Sequence, residues 1–118
     1  MTETVALFSY GTLQDPKVQL ATYGRLVEGE ADALRGYVLV KLVIDDPHVV
    51  SLSGKAVHTI AQHSGNPEDR IPGTVLFLSP AELSSSDDYE VEAYTRAELR
   101  LESGRRAFVY VDAGKSAR

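Results

Sequence analysis

The chain opens on a short apolar run, Val5-Ala6-Leu7-Phe8, that gives way to Ser9-Tyr10-Gly11-Thr12-Leu13. A run this short, bounded by glycine, predicts a buried strand entering a loop. Asp15-Pro16 then reads as a helix start. An aspartate can cap free backbone N–H groups, and a proline at the first helical position loses nothing by lacking its own. Val18, Ala21, Tyr23 and Leu26 mark one helical face, which places a helix near residues 16–26. Leu34-Arg35-Gly36-Tyr37 leads into a β-branched run at 38–44, a predicted strand that Asp45-Asp46-Pro47 breaks. Shorter strands are expected at 49–52 and 56–60, around Ser53-Gly54. Residues 64–69 form a polar loop and the best candidate for a mobile segment.

Pro72-Gly73 precedes another predicted strand at 74–78. Ser79-Pro80-Ala81-Glu82 carries a capping box, with Ser79 as cap and Glu82 three residues on, and predicts a helix over 80–90. From Tyr94 the period changes to two. Thr95, Ala97, Leu99 and Leu101 alternate with Arg96, Glu98 and Arg100, the pattern of a half-buried strand. Ser103-Gly104 turns it, and 107–111 returns as the partner of a hairpin; residues from about 114 are expected to fray. The strands do not alternate regularly with helices. This predicts an α+β fold, with a small sheet curled into a partly closed barrel rather than a doubly wound one.

The 118 residues fit one domain spanning 1–118, long enough to hide roughly two-thirds of the unfolded surface without staples. The longest apolar run, 37–44, is far short of the roughly 20 residues that cross a bilayer. The absence of cysteine excludes a disulfide scaffold, a thiolate metal site and a cysteine nucleophile together. The acidic N-terminus has no basic region before an apolar core, so a cytoplasmic protein is expected. A net charge of −5 repels phosphate backbones and argues against nucleic-acid partners.

Most familiar catalytic motifs are missing. His48, His58 and His63 suit no helical metal pair, and there is no Walker loop, dinucleotide fingerprint or G-x-S-x-G elbow. Two features remain. Tyr10-Gly11-Thr12-Leu13 follows a strand, and successive N–H groups in such a turn can point into one concavity and bind a carboxylate. The plainer reading, which composition alone favours, is a strand-to-helix connector with a tyrosine in the core. The second feature is the acidic stretch around Asp87, Asp88, Glu90 and Glu92, flanked by Tyr89 and Tyr94. A carboxylate held between aromatic rings loses water, its pKa rises, and it can serve as a general acid and base. The plainer reading is a solvated acidic turn, expected for Asp87, Asp88 and Glu92. The residues alone do not choose which acid points inward.

Together these features resemble the gamma-glutamylcyclotransferase-like family, which includes gamma-glutamylamine cyclotransferases and plant avirulence-induced proteins. The resemblance rests on Phe8 through Leu13, Leu34-Arg35-Gly36-Tyr37, Ile71 through Leu78, Asp87-Asp88-Tyr89-Glu90 and Tyr94-Thr95-Arg96. It implies a small mixed β-barrel with two short helices and a cavity between the Tyr-Gly-Thr-Leu loop and a glutamate at the end of the second helix. Carried over by motif, Glu90 is the acid/base, Tyr10, Gly11, Thr12 and Leu13 bind the substrate's α-carboxylate, and Tyr94 stands beside them. Two positions depart from the family pattern: Ser86 replaces a common leucine, and Val91 a common glycine. The implied reaction releases an amine from a gamma-glutamyl amide and forms 5-oxoproline. The substrate's own α-amine is the nucleophile, so no metal or cofactor is called for, and the partner is a small gamma-glutamyl compound. A non-catalytic small-molecule binding protein on the same fold, or a small interaction domain, are the other classes open to this sequence.

Overall fold

Nine regular elements are laid down in chain order in the computed structural model, which describes residues 4–43, 57–89 and 94–112. They are β1 (Val5–Ser9), α1 (Pro16–Tyr23), β2 (Gly29–Arg35), β3 (Tyr37–Val43), β4 (Val57–His63), β5 (Arg70–Leu78), α2 (Pro80–Tyr89), β6 (Tyr94–Arg100) and β7 (Arg106–Asp112). A short 3-10 turn, Thr12–Gln14, lies between β1 and α1. The strand expected at 49–52 and the tail expected to fray fall outside the described residues.

The strands form one seven-stranded mixed sheet in the order β2-β5-β1-β7-β4-β3, with β6 paired to β7. β1 runs antiparallel to β5 and parallel to β7, and β4 is also parallel to β7. The predicted hairpin is present, in register from Tyr94↔Asp112 to Arg100↔Arg106. The α+β class with two helices is as expected, but the sheet does not close into a true barrel. It curls instead, and both faces carry a core. On one face Leu7, Leu13, Val18, Leu76, Leu78, Leu83 and Tyr110 pack together, with α1 and α2 contributing. On the other, Phe8, Leu34, Ile71, Val75, Leu101 and Val109 meet as the sheet bends over itself. The Glu102 N–H donates to the Ala33 carbonyl at 2.8 Å, tying the β6–β7 turn to β2 across this bend. Glycine at 73 lets β1 and β5 lie close: a Cβ there would meet the Ser9 carbonyl oxygen and the Phe8 ring.

The sequence pattern missed β2. Its first residues, Gly29-Glu30-Ala31, are exposed on an edge strand, so they need no apolar alternation. The β5 ladder fixes them, from Gly29↔Leu76 to Arg35↔Arg70. Helix α1 stops three residues short of the expected end. Gly24 takes φ 74°, and its N–H donates to the Leu20 carbonyl at 3.0 Å, a left-handed cap. The starts follow the sequence. Asp15 Oδ1 accepts from the Lys17 N–H at 2.9 Å. In α2 the Ser79 N–H donates to Glu82 Oε1 at 2.9 Å, and the Glu82 N–H donates to Ser79 Oγ at 3.1 Å. The polar loop 64–69 is stitched to Gly36. Ser64 N–H donates to the Gly36 carbonyl and Gly36 N–H to the Asp69 carbonyl, each at 2.9 Å.

Candidate functional site

β7 offers one edge to two strands in turn. β1 pairs with it at Phe108 and Val109, and β4 takes over at Val111. A fork opens where β1 leaves, and the segment that leaves it is Tyr10-Gly11-Thr12-Leu13. β1 leaves β7 at its carboxyl end, while β4 joins it from its amino-terminal side, so the two strands part at this point.

Tyr10 fills the fork with its own side chain. Its hydroxyl donates to the Tyr110 carbonyl at 2.6 Å and accepts from the Ala61 N–H at 2.9 Å. It therefore replaces the ladder bonds that β1 and β4 cannot both supply. The rest of the loop is equally anchored. Leu13 is buried in the helix-side core, and its carbonyl accepts from Gln19 Nε2 at 2.9 Å. Gln14 Nε2 donates to the Gly11 carbonyl at 3.2 Å, while Gln14 Oε1 accepts from Thr74 Oγ1 at 2.7 Å. Gly11 itself has φ −129°, and a Cβ there would meet no described atom within 4 Å. Among the described residues, none crowds the glycine.

Tyr94 reaches the same strand from the other side of β7. Its hydroxyl donates to the Thr59 carbonyl at 2.8 Å, two residues from the Ala61 N–H that Tyr10 holds. The structure thus brings the hydroxyls of Tyr10 and Tyr94 to one stretch of β4, from side chains packed against the two different cores, while the 11–13 turn is tied to α1 and, through Gln14, to β5. Glu90 lies outside the described residues; α2 is described up to Tyr89, one residue before it.

Sequence reasoning missed a cluster beside these residues. Asp87, expected to be solvated, accepts from Tyr110 Oη through Oδ1 and from Arg96 through Oδ2, each at 2.6 Å. Arg96 and Tyr110 are directly opposite in the hairpin, so both side chains stand on one face. The Arg96 guanidinium also lies 5.0 Å from the centre of the Phe108 ring. Only the hairpin register could have revealed this, because it sets an arginine beside a tyrosine of the return strand. Ser86 is fully buried and shares a 2.6 Å hydrogen bond with Tyr23 Oη, which explains how a hydroxyl stands where the family pattern has leucine. At the other end of α2, Arg25 grips both oxygens of Glu82 at 2.6 and 2.7 Å. That charged hydrogen bond, helped by the Ser79 N–H, holds the Glu82 carboxyl down to about 2. Among the described residues no His, Asp and Glu cluster is fit to hold a metal, and no helix is long and apolar enough to cross a membrane.

The sequence profile of the family described as "Gamma-glutamyl cyclotransferase, AIG2-like" matches residues 7–117. The chain belongs to this family. Solved structures share its fold. A solution structure from Arabidopsis thaliana is 21% identical, with 98% of this chain and 66% of that one covered and a TM-score of 0.69. A second Arabidopsis thaliana solution structure is 20% identical over 95% of this chain and 70% of that one, with a TM-score of 0.72. A structure titled gamma-glutamyl cyclotransferase is 14% identical over 94% of this chain and 68% of that one, also at 0.72. At such identities the likeness is one of fold, and this chain spans about two thirds of each neighbour's length. No curated protein matches it by sequence.

Proposed function

We propose that this protein is a gamma-glutamyl cyclotransferase that converts a small gamma-glutamyl amide into 5-oxoproline and a free amine. The backbone amides of Gly11, Thr12 and Leu13 hold the substrate's α-carboxylate. Tyr10 anchors this cradle, and Tyr94 walls the opposite side. The bound substrate folds so that its α-amine faces the γ-carbonyl carbon, which removes much of the entropic cost of ring closure.

Glu90 is the acid and base. Its carboxylate takes a proton from the attacking amine as the new C–N bond of the lactam forms. It returns that proton to the departing nitrogen as the old C–N bond breaks. The nucleophile comes from the substrate, so the protein supplies only position and one proton shuttle, and the reaction needs no cofactor. The protein acts in the cytoplasm on this reading.

The observation that carries the proposal is the Tyr-Gly-Thr-Leu loop, seated at the fork of the sheet with no described atom within 4 Å of a Cβ at Gly11, in a chain whose family match covers residues 7–117. The test is a panel of gamma-glutamyl amino acids, peptides and amines, scored by chromatography for 5-oxoproline. Release from at least one compound above the enzyme-free rate is expected. A compound that binds without turnover would favour a non-catalytic binding protein instead.

A further inference from the structure

Tyr110 holds both segments of the candidate site. Its backbone carbonyl accepts the Tyr10 hydroxyl at 2.6 Å, and its side-chain hydroxyl donates to Asp87 Oδ1 at 2.6 Å. Tyr10 opens the loop that leaves β1, while Asp87 stands in the last turn of α2. One residue of β7 therefore fixes where the loop starts and where the helix ends. Its ring cannot swing away, because it is packed in the core with Leu7, Leu13 and Leu83. Arg96, opposite in register, takes the second oxygen of Asp87 and is itself held over Phe108. With both oxygens gripped, the last helical turn is fixed against β6 and β7 together.

Helix propensity does not explain an aspartate there. A negative charge in the last turn opposes the helix dipole and costs roughly 0.3–1 kcal/mol. The tie to β7 and β6 gives it a reason.

We infer that Tyr110 is a positioning residue, a ruler that holds the start of the 10–13 loop and the last turn of α2 to one point of β7. The inference rests on the cyclotransferase reading above, in which Glu90 comes three residues after Asp87. Tyr110 transfers no proton and touches no substrate through its hydroxyl. It holds the end of α2, and a misplacement of about 1 Å in a catalytic constellation costs on the order of 10²-fold in rate.

The test is a double-mutant cycle on the full chain. Tyr110→Phe keeps the ring and the carbonyl that Tyr10 uses, and removes the hydroxyl that ties β7 to Asp87. On the gamma-glutamyl compound that the wild type turns over best, kcat should fall by roughly 10- to 100-fold with KM kept within about threefold. Asp87→Ala should do the same, and the double variant should be no slower than the slower single one. Asp87→Asn, which still offers an oxygen to Tyr110, should recover most of the rate. Amide hydrogen exchange at residues 87–89 gives a second readout that needs no substrate. It should quicken by about tenfold in Tyr110→Phe, while the β5 amides stay unchanged. Unchanged kcat in an active background, fully additive losses, or unchanged exchange would each overturn the inference. Quickened exchange in a chain that releases no 5-oxoproline from any compound would uphold the ruler and remove only the cyclotransferase reading.

Discussion

Replacing Tyr10 with phenylalanine removes one oxygen atom and orphans two backbone groups. The hydroxyl is the partner of the Ala61 N–H and of the Tyr110 carbonyl at the fork between β1 and β4. Ala61 is 0% exposed and Tyr110 is 7% exposed, so water does not readily take its place. A buried group left without its partner costs about 1–3 kcal/mol. The two are not equal. A carbonyl with one partner missing is tolerated better than an orphaned N–H, so Ala61 dominates and the sum is nearer 2–3 kcal/mol than the additive limit of about 6. At this chain length 1 kcal/mol moves the thermal midpoint by roughly 3–6 °C, which predicts a fall of about 10 °C. Thermal melts followed by circular dichroism would measure it. Urea titrations should show a lower midpoint at unchanged slope, since the same surface is exposed on unfolding. A fall below about 2 °C would refute the claim that this hydroxyl closes the sheet. If KM rose while the midpoint stayed, the hydroxyl would belong to the substrate instead.

Gly11→Val should leave the thermal midpoint within about 2 °C, because a side chain there meets no described atom, yet raise KM by on the order of tenfold by filling the space beside the cradle. Ligand affinity that survives while stability collapses would return residues 10–13 to a purely structural role. Glu82→Gln keeps the capping geometry but removes the charge that Arg25 grips. The Glu82 carboxyl sits at about 2 instead of 4.5, so its stabilisation is complete above about pH 4.5 and is lost as the pH falls through about 2. At 1.36 kcal/mol per pKa unit the shift sets a ceiling, which the half-exposed Arg25 reduces to about 1–2 kcal/mol at pH 7. The variant and the wild type should therefore converge in stability near pH 2, as measured by urea midpoints along a pH series. Ser86→Leu, which installs the residue common in the family, should destabilise by roughly 1–3 kcal/mol, because a larger side chain must enter a fully buried site and the Tyr23 hydrogen bond is lost. An unchanged urea midpoint would show that the helix pair repacks freely.

Elements whose signal is local were legible in the sequence. The Ser79–Glu82 capping box, the Asp15-Pro16 start and the period-two hairpin all rest on residues within a few positions of one another. β2 was not legible, because an exposed edge strand is specified by the strand beside it. The length of α1 turned on one glycine adopting φ 74°, against an apolar pattern that continued to Leu26. At the site, the Tyr-Gly-Thr-Leu loop announced itself by its glycine after a strand, but the use of Tyr10 as a wedge between β1 and β4 did not. That depends on Ala61 and Tyr110, which are 51 and 100 residues away. The same distance in sequence hid the bond between Asp87 and Tyr110: the carboxylate is exposed, as it read, but is also bonded on both oxygens.

The central claim is that Glu90 moves the proton in a gamma-glutamyl cyclisation. The most direct measurement compares 5-oxoproline release by the wild type and by Glu90→Gln on the compound the wild type turns over best, with binding of that compound measured in parallel. Glutamine keeps the size and hydrogen-bonding capacity of the side chain but cannot exchange the proton. Turnover should fall on the order of 10²-fold or more, with affinity largely kept. Turnover in Glu90→Gln equal to that of the wild type would contradict it.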